Sequence, residues 1–211
     1  MRKLVLFVWL LVPVAAAAYH YGPGQERMRS DDASDAAERA LALVREAREI
    51  TAKEGESAAR GTWAEAEQAF TEALANLPAE HVAQARQLKL ERAKAQMYIS
   101  KLPEARRELD TLVDELDDDP QADPALVASA RDALANAMYY NTWLMRLEGA
   151  PREEWEREID AARQNYKLVA EHARARSDAP AAKSAEENLE SSIRLARLDI
   201  KELQGLPLPS Q

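Results

Sequence analysis

Residues 61–78 read "GTWAEAEQAFTEALANLP". The stretch opens on a glycine, stops at a proline, and carries small or apolar side chains at Trp63, Ala66, Phe70, Ala73, Leu74 and Leu77. Those positions recur with the 3.6-residue period of a helix that has one buried face. Pro78 stands where a helix must end, because its ring blocks continuation of the backbone ladder. The stretch thus predicts a short, sharply punctuated helix whose stripe needs a neighbour.

The same punctuation runs through the rest of the body. A stripe of Ala37, Ala40, Leu41, Val44, Ala47 and Ile50 predicts a helix over about 31–53, and Gly55 and Gly61 bracket a weak stretch, "GESAARG". A helix over about 79–100 has two apolar faces, Ala85, Leu88, Ala95 and Ile99 on one and Leu90, Ala93 and Met97 on the other, so it should be touched from both sides. "LPEARRELDTLVDEL" places Pro103 in a first turn, where a missing N–H is harmless, and the acidic cluster "DDDPQADP" ends that helix. A long helix over about 124–147 finishes in the aromatic patch "NAMYYNTWLMRLEG". Gly149 and Pro151 close it and open a glutamate-rich helix start, as the positive end of a helix dipole prefers. A last helix is expected over about 179–203, and "LPLPSQ" after Gly205 reads as an extended tail. Glycine and β-branched residues are scarce, which favours helix throughout. The expected fold class is all-α: antiparallel helix pairs joined by short breaks.

The order Gly61, Trp63, Ala66, Phe70, Ala73, Leu74, Pro78 resembles the second helix of a tetratricopeptide repeat, and the Ala-x3-Phe…Pro half of that pattern is met outright. Packing explains the order. Small Ala66 lets a paired helix approach closely, Trp63 and Phe70 fill the space beside it, and Pro78 turns the chain into the next repeat. A second copy is visible in Leu102, Ala105, Leu109, Leu112 and Val113, with Ser100 in place of the glycine, and a fainter third in Ala162, Tyr166, Val169 and Ala170. The copies are irregular: 39 positions separate Trp63 from Leu102, against about 34 in a regular array, and the first-helix signature is missing before both. The resemblance implies a short tetratricopeptide-like superhelix over 31–204 with a polar carboxyl cap. An irregular helical bundle is the alternative.

The chain begins "MRKLVLFVWLLVPVAAAAYHYGPG". Arg2 and Lys3 precede an apolar run from Leu4 to Ala18, which as a helix would span about 22 Å, short of the roughly 30 Å hydrocarbon core. Residues 1–21 therefore read either as a secretory signal with a small-residue cleavage site at Ala16-x-Ala18, or as an uncleaved anchor with Tyr19, His20 and Tyr21 at the interface. Residues 22–30 read as a linker. Both alternatives put the body on the periplasmic side of a bacterial cytoplasmic membrane, released or tethered. The net charge of −9 disfavours nucleic acid as a partner, since phosphate binding needs a basic face. The absence of cysteine excludes disulfides, thiolate metal sites and a cysteine nucleophile.

No nucleotide-binding loop, serine elbow or metal-ligand spacing is present in the sequence, and His20, His81 and His172 are far apart. Asp114, Asp117, Asp118, Asp119 and Asp123 lack the order of a calcium loop and read as a helix stop. Neither an enzyme nor a cofactor is expected. What stands out is the 138–146 patch, apolar around more of its circumference than one packing stripe requires. The tetratricopeptide resemblance implies a groove lined by the first helix of each pair, where Asn, Tyr and Arg grip a peptide. From composition, the candidate partner-binding residues are Asn136, Tyr139, Asn141, Trp143 and Arg146; tyrosine, tryptophan and arginine are common interface anchors. The function expected is a protein-interaction scaffold of the envelope. The alternative is a helical bundle that self-associates through the aromatics of 124–175.

Overall fold

The computed structural model describes residues 23–205, and these are all-helical, with eight helices packed in neighbouring pairs and no strand among them. They are α1 (Pro23–Glu54), α2 (Glu56–Asn76), α3 (Val82–Met97), α4 (Leu102–Asp117), α5 (Pro124–Leu147), α6 (Arg152–Ala175), α7 (Ala179–Arg197) and α8 (Ile200–Gly205). Each of α2 to α6 packs on the helix before it and the helix after it, α5 also touches α3 and α7, and α8 folds back onto α5. The signal-or-anchor segment 1–21 and the tail beyond Gly205 lie outside the described residues. Among the described residues no helix is long and apolar enough to cross a membrane.

Local chemistry accounts for most of the breaks. Gly55 alone separates α1 from α2 and adopts φ 91°, a conformation that glycine enters without steric cost. Asp123 caps α5 by accepting a bond from the Ala125 amide at 2.9 Å, with Pro124 at the first helical position. Asp178 does the same for α7 through the Ala181 amide at 3.1 Å. Gly149, at φ 76°, turns the chain between α5 and α6. Ser100 occupies the left-handed region at φ 64°, where a glycine would sit without strain.

The core divides at α3. One cluster joins α1 and α2 around Ala40, Val44, Trp63, Ala66 and Phe70 and includes Leu88 and Ala95 of α3. The other runs through α4, α5 and α6 around Leu109, Leu112, Leu134 and Ile159 and includes Leu90, Ala93 and Met97 of α3. The two apolar faces read in the sequence of this helix are thus both covered. Ala36, Ala40, Ala47, Ala66 and Ala73 are at most 2 % exposed, so the α1–α2 contact is a seam of small residues that brings two backbones close, with Trp63 and Phe70 as filling. A ladder of ion pairs reinforces the α3–α4 contact: Arg86 to Asp119 at 2.5 Å, Lys89 to Glu115 at 2.9 Å and Arg92 to Glu108 at 2.5 Å.

Three boundaries differ from the sequence reading. Residues 23–30, within the stretch read as a linker, are the first turns of α1; they hold no helix breaker after Gly24, and proline is tolerated in a first turn. The helix around Trp63 starts at Glu56, so Gly61 is a helix-interior residue and the "GESAARG" stretch belongs to α2. The expected 179–203 helix breaks at Leu198, whose ψ of 145° is extended, and restarts as α8.

Candidate functional site

A cleft of about 280 Å³ opens between α1, α3 and α5. Val44 and Arg48 of α1 form one wall, Asp132, Asn136 and Tyr140 of α5 the other, and Glu91, Lys94 and Met97 of α3, with Tyr98 at its carboxyl end, the floor between them. Trp63 of α2 reaches through from behind, its ring stacked on Tyr98 at 4.2 Å between centroids and 9° between planes. The spacing of Asp132, Asn136 and Tyr140 explains why one helix supplies three adjacent wall residues: positions four apart share a face. A second cavity of about 330 Å³ lies between α5, α6 and α7, lined mainly by Ala128, Ser129, His172, Ala181 and Ser184, and Asp132 lines both. The two hollows therefore meet at one carboxylate.

Asp132 makes no ion pair among the described residues. Its carboxylate accepts one bond, from the Asn136 amide at 3.3 Å. Burial pushes its pKa above the ordinary aspartate value, against the pull of Lys94 and of that bond. Lys94 is itself held by Glu91 at 2.8 Å. Burial also raises the Tyr98 and Tyr140 hydroxyls, and the Glu56 carboxylate adds to the effect at both. The cleft is thus a poorly hydrated pocket with one carboxylate in its wall, two phenols and an indole.

The five candidate residues fall into different places. Asn136 lines the cleft; its Oδ1 accepts from the Tyr166 hydroxyl at 2.8 Å. Tyr139 is half-buried beside it, edge-on to Tyr140 at 5.6 Å. Asn141 points to α6, donating to Glu158 at 3.1 Å. Trp143 and Arg146 make their contacts inside the chain. Trp143 is 5 % exposed and packs in the core with Leu195 and Leu203. Arg146 is 9 % exposed; its guanidinium donates to the carbonyls of Leu195 and Leu198 and lies over the Trp155 ring at 4.7 Å.

The reason is α8. The turn at Leu198 lays residues 195–203 across the carboxyl end of α5 and covers what the sequence left open there. A signal for that turn exists in "DIKE", residues 199–202. Asp199 accepts from the amides of Lys201 and Glu202 at 2.8 and 2.9 Å, while Glu202 accepts from the Asp199 amide at 3.0 Å. This reciprocal box starts a helix. Residues missed by the sequence reading are Asp132, Lys94, Tyr98 and Tyr140, which α3 and α5 bring together.

Compared with protein-family models, with curated proteins and with solved structures, the chain finds no match. The functional reading therefore rests on the cleft.

Proposed function

We propose that this protein is a non-enzymatic interaction scaffold of tetratricopeptide-like build, exported to or anchored in the bacterial cell envelope. It receives a segment of another protein in the cleft between α1, α3 and α5. The observation that carries the reading is the origin of the walls. Alternate helices supply them, while α2 and α4 stand behind, as in stacked hairpins whose first helices share one concave side. The cleft is small, part apolar and furnished with a few polar groups, the composition of a preformed binding site. Its occupant is bound by burial of aromatic surface and a few hydrogen bonds, without a cofactor.

Self-association through the α5 and α6 aromatics has less to work with. Trp143 and Tyr166 are 5 % and 1 % exposed, so their area is already buried within the chain. Placement in the envelope rests on the basic-then-apolar amino terminus, and intact-mass analysis of the native protein tells whether its first residue is Tyr19. For the scaffold itself, a photoreactive residue is placed at Tyr140 or Lys94, which line the cleft, and at Glu104 on α4 as a control, in cells that make the protein. A discrete crosslinked species from both cleft positions and not from Glu104 is expected. Crosslinking that is equal at all three positions, or absent from the cleft, overturns the reading.

A further inference from the structure

Buried polar atoms that lack a partner are rare in folded proteins, and each calls for an explanation. Among the described residues they are Trp63 Nε1, Arg86 Nε, Gln96 Oε1, Arg163 Nε and His172 Nε2. Three of these belong to side chains engaged through their other atoms: Arg86 with Asp119, Gln96 with Glu67, and Arg163 with Asp160 and the Ser192 carbonyl. The Trp63 and His172 side chains make no hydrogen bond at all. Trp63 lines the first hollow and His172 the second. The unspent hydrogen-bonding capacity of the interior is thus concentrated on either side of Asp132, itself an unpaired carboxylate.

We infer that the cleft takes an extended segment of a partner protein that sets a lysine or arginine side chain on Asp132. This rests on the scaffold reading above and names the chemistry of its occupant. Charge decides the side chain. Four ionisable residues line the first hollow: Arg48, Glu91, Lys94 and Asp132. Glu91 and Lys94 satisfy each other, and Arg48 is exposed, where water serves a cation well and a new ion pair gains little. Asp132 is partly withdrawn from water and makes no ion pair among the described residues, Lys94 beside it being held by Glu91, so a charge-assisted bond from a partner's cation is the contact its carboxylate lacks. In the second hollow His172, Arg176 and Asp178 are the ionisable lining residues.

The walls suit a long basic side chain. Met97, Ala133 and Tyr140 line the same hollow as Asp132, a surface along which the methylenes of lysine or arginine pack while the head group reaches the carboxylate. Tyr98 and Tyr140 add faces that attract a cation. The hollows meeting at Asp132 favour a segment that continues past its basic residue. The net charge of −9 steers a basic segment inward.

The test uses the full chain in detergent micelles, labelled with 15N, with blocked pentapeptides as probes. Each peptide carries lysine, arginine, norleucine or glutamate at its centre between alanines. The Trp63 indole N–H resonance is assigned by its loss in Trp63→Phe. Lysine- and arginine-centred peptides are expected to shift that resonance, with norleucine and glutamate weaker by about tenfold to a hundredfold, the worth of a charge-assisted bond. Asp132→Asn should produce the same loss for the lysine peptide. The norleucine comparison on the unaltered protein keeps the test sound if that variant is perturbed. Peptides that move cleft resonances regardless of their central charge overturn the inference and leave the scaffold reading standing. If none moves any cleft resonance, both fall.

Discussion

Arg146→Ala separates a structural arginine from a binding one. The guanidinium stands at the carboxyl end of α5 and reaches two carbonyls at the end of α7, those of Leu195 and Leu198, the second at 2.5 Å. Carbonyls in the last turn of a helix have no partner within it, and a cation there also meets the negative end of the helix dipole. Each hydrogen bond from a charged donor contributes about 1.5–3 kcal/mol, and the ring contact with Trp155 adds about 0.5–1 kcal/mol. Truncation also leaves both carbonyls and the Trp155 face uncovered. Allowing for the usual non-additivity of neighbours, the expected loss is about 3–5 kcal/mol, a large part of the roughly 5–15 kcal/mol that holds a domain folded. For a chain of this size that lowers the melting temperature by about 10 °C. Arg146→Lys should recover part of it, because one ammonium cannot reproduce a planar fork that both bonds and stacks. Exposed Arg157, which donates only to the Glu153 carbonyl one turn away, is the control and should move stability by less than about 0.5 kcal/mol when changed to alanine. Melts followed by circular dichroism give the magnitudes, and amide exchange gives the location: protection should fall first in the last turn of α7 and in α8, with α1 and α2 spared. A melting temperature within about 2 °C of the parent, against the roughly 10 °C worked above, or exchange that rises evenly along the chain, would refute this reasoning.

Gly61→Ala should stabilise by about 0.5–1 kcal/mol in urea denaturation, because Gly61 is helix-interior and an added Cβ would meet nothing within 4 Å. Gly149→Ala should destabilise by about 1–2 kcal/mol in the same assay, since φ there is 76° even though the space is equally open. Tyr166→Phe removes the hydroxyl that donates to Asn136 at 2.8 Å and should cost about 1–2 kcal/mol, read from the urea midpoint. Asp132→Asn should be more stable than the parent near neutral pH: burial raises the Asp132 pKa, so the native state holds that proton more tightly than the unfolded chain, and ionisation works against folding. The gain should shrink as pH falls through the native pKa and vanish below the ordinary aspartate value of 3.8, where both states are protonated; paired denaturation curves at pH 7 and at about pH 3, below both values, decide it.

The helices were legible because their stops are covalent chemistry. Proline at 78, 103, 124 and 151 and glycine at 149 constrain the backbone whatever surrounds them. The two apolar faces of α3 were legible for a related reason, since a helix striped twice has no other way to bury both stripes. Gly61 misled because glycine marks a break and tolerates a helix alike, and of the two glycines that bracket the stretch only Gly55 takes a positive φ. The candidate site was half legible. The 138–146 patch is unusual in composition, but which of its residues stays open depends on what folds over them. That was written 50 residues later in the Asp199 box, a signal of three short hydrogen bonds and not of hydropathy. Asp132 was invisible for a different reason. An aspartate on a mostly apolar helix reads as a solvated residue until Lys94, 38 positions away in sequence, is seen already paired to Glu91.

The division of the core at α3 bears on the cleft. Its wall on α1 belongs to one apolar cluster and its wall on α5 to the other, and α3 is the helix common to both. In a stack where each helix is stabilised by its neighbours, strain at one interface passes to the next through the shared element. The α2–α3 and α3–α4 contacts therefore set how far apart Val44 and Asn136 stand. The second contact carries the Arg86, Lys89 and Arg92 ion pairs, whose acceptors are 15–38 % exposed. Partly exposed pairs of this kind weaken as salt screens them, whereas the alanine seam between α1 and α2 does not. The α1 wall thus rests on an apolar seam that salt leaves alone, whereas the contact between α3, which forms the floor, and α4 behind it is held in part by electrostatics.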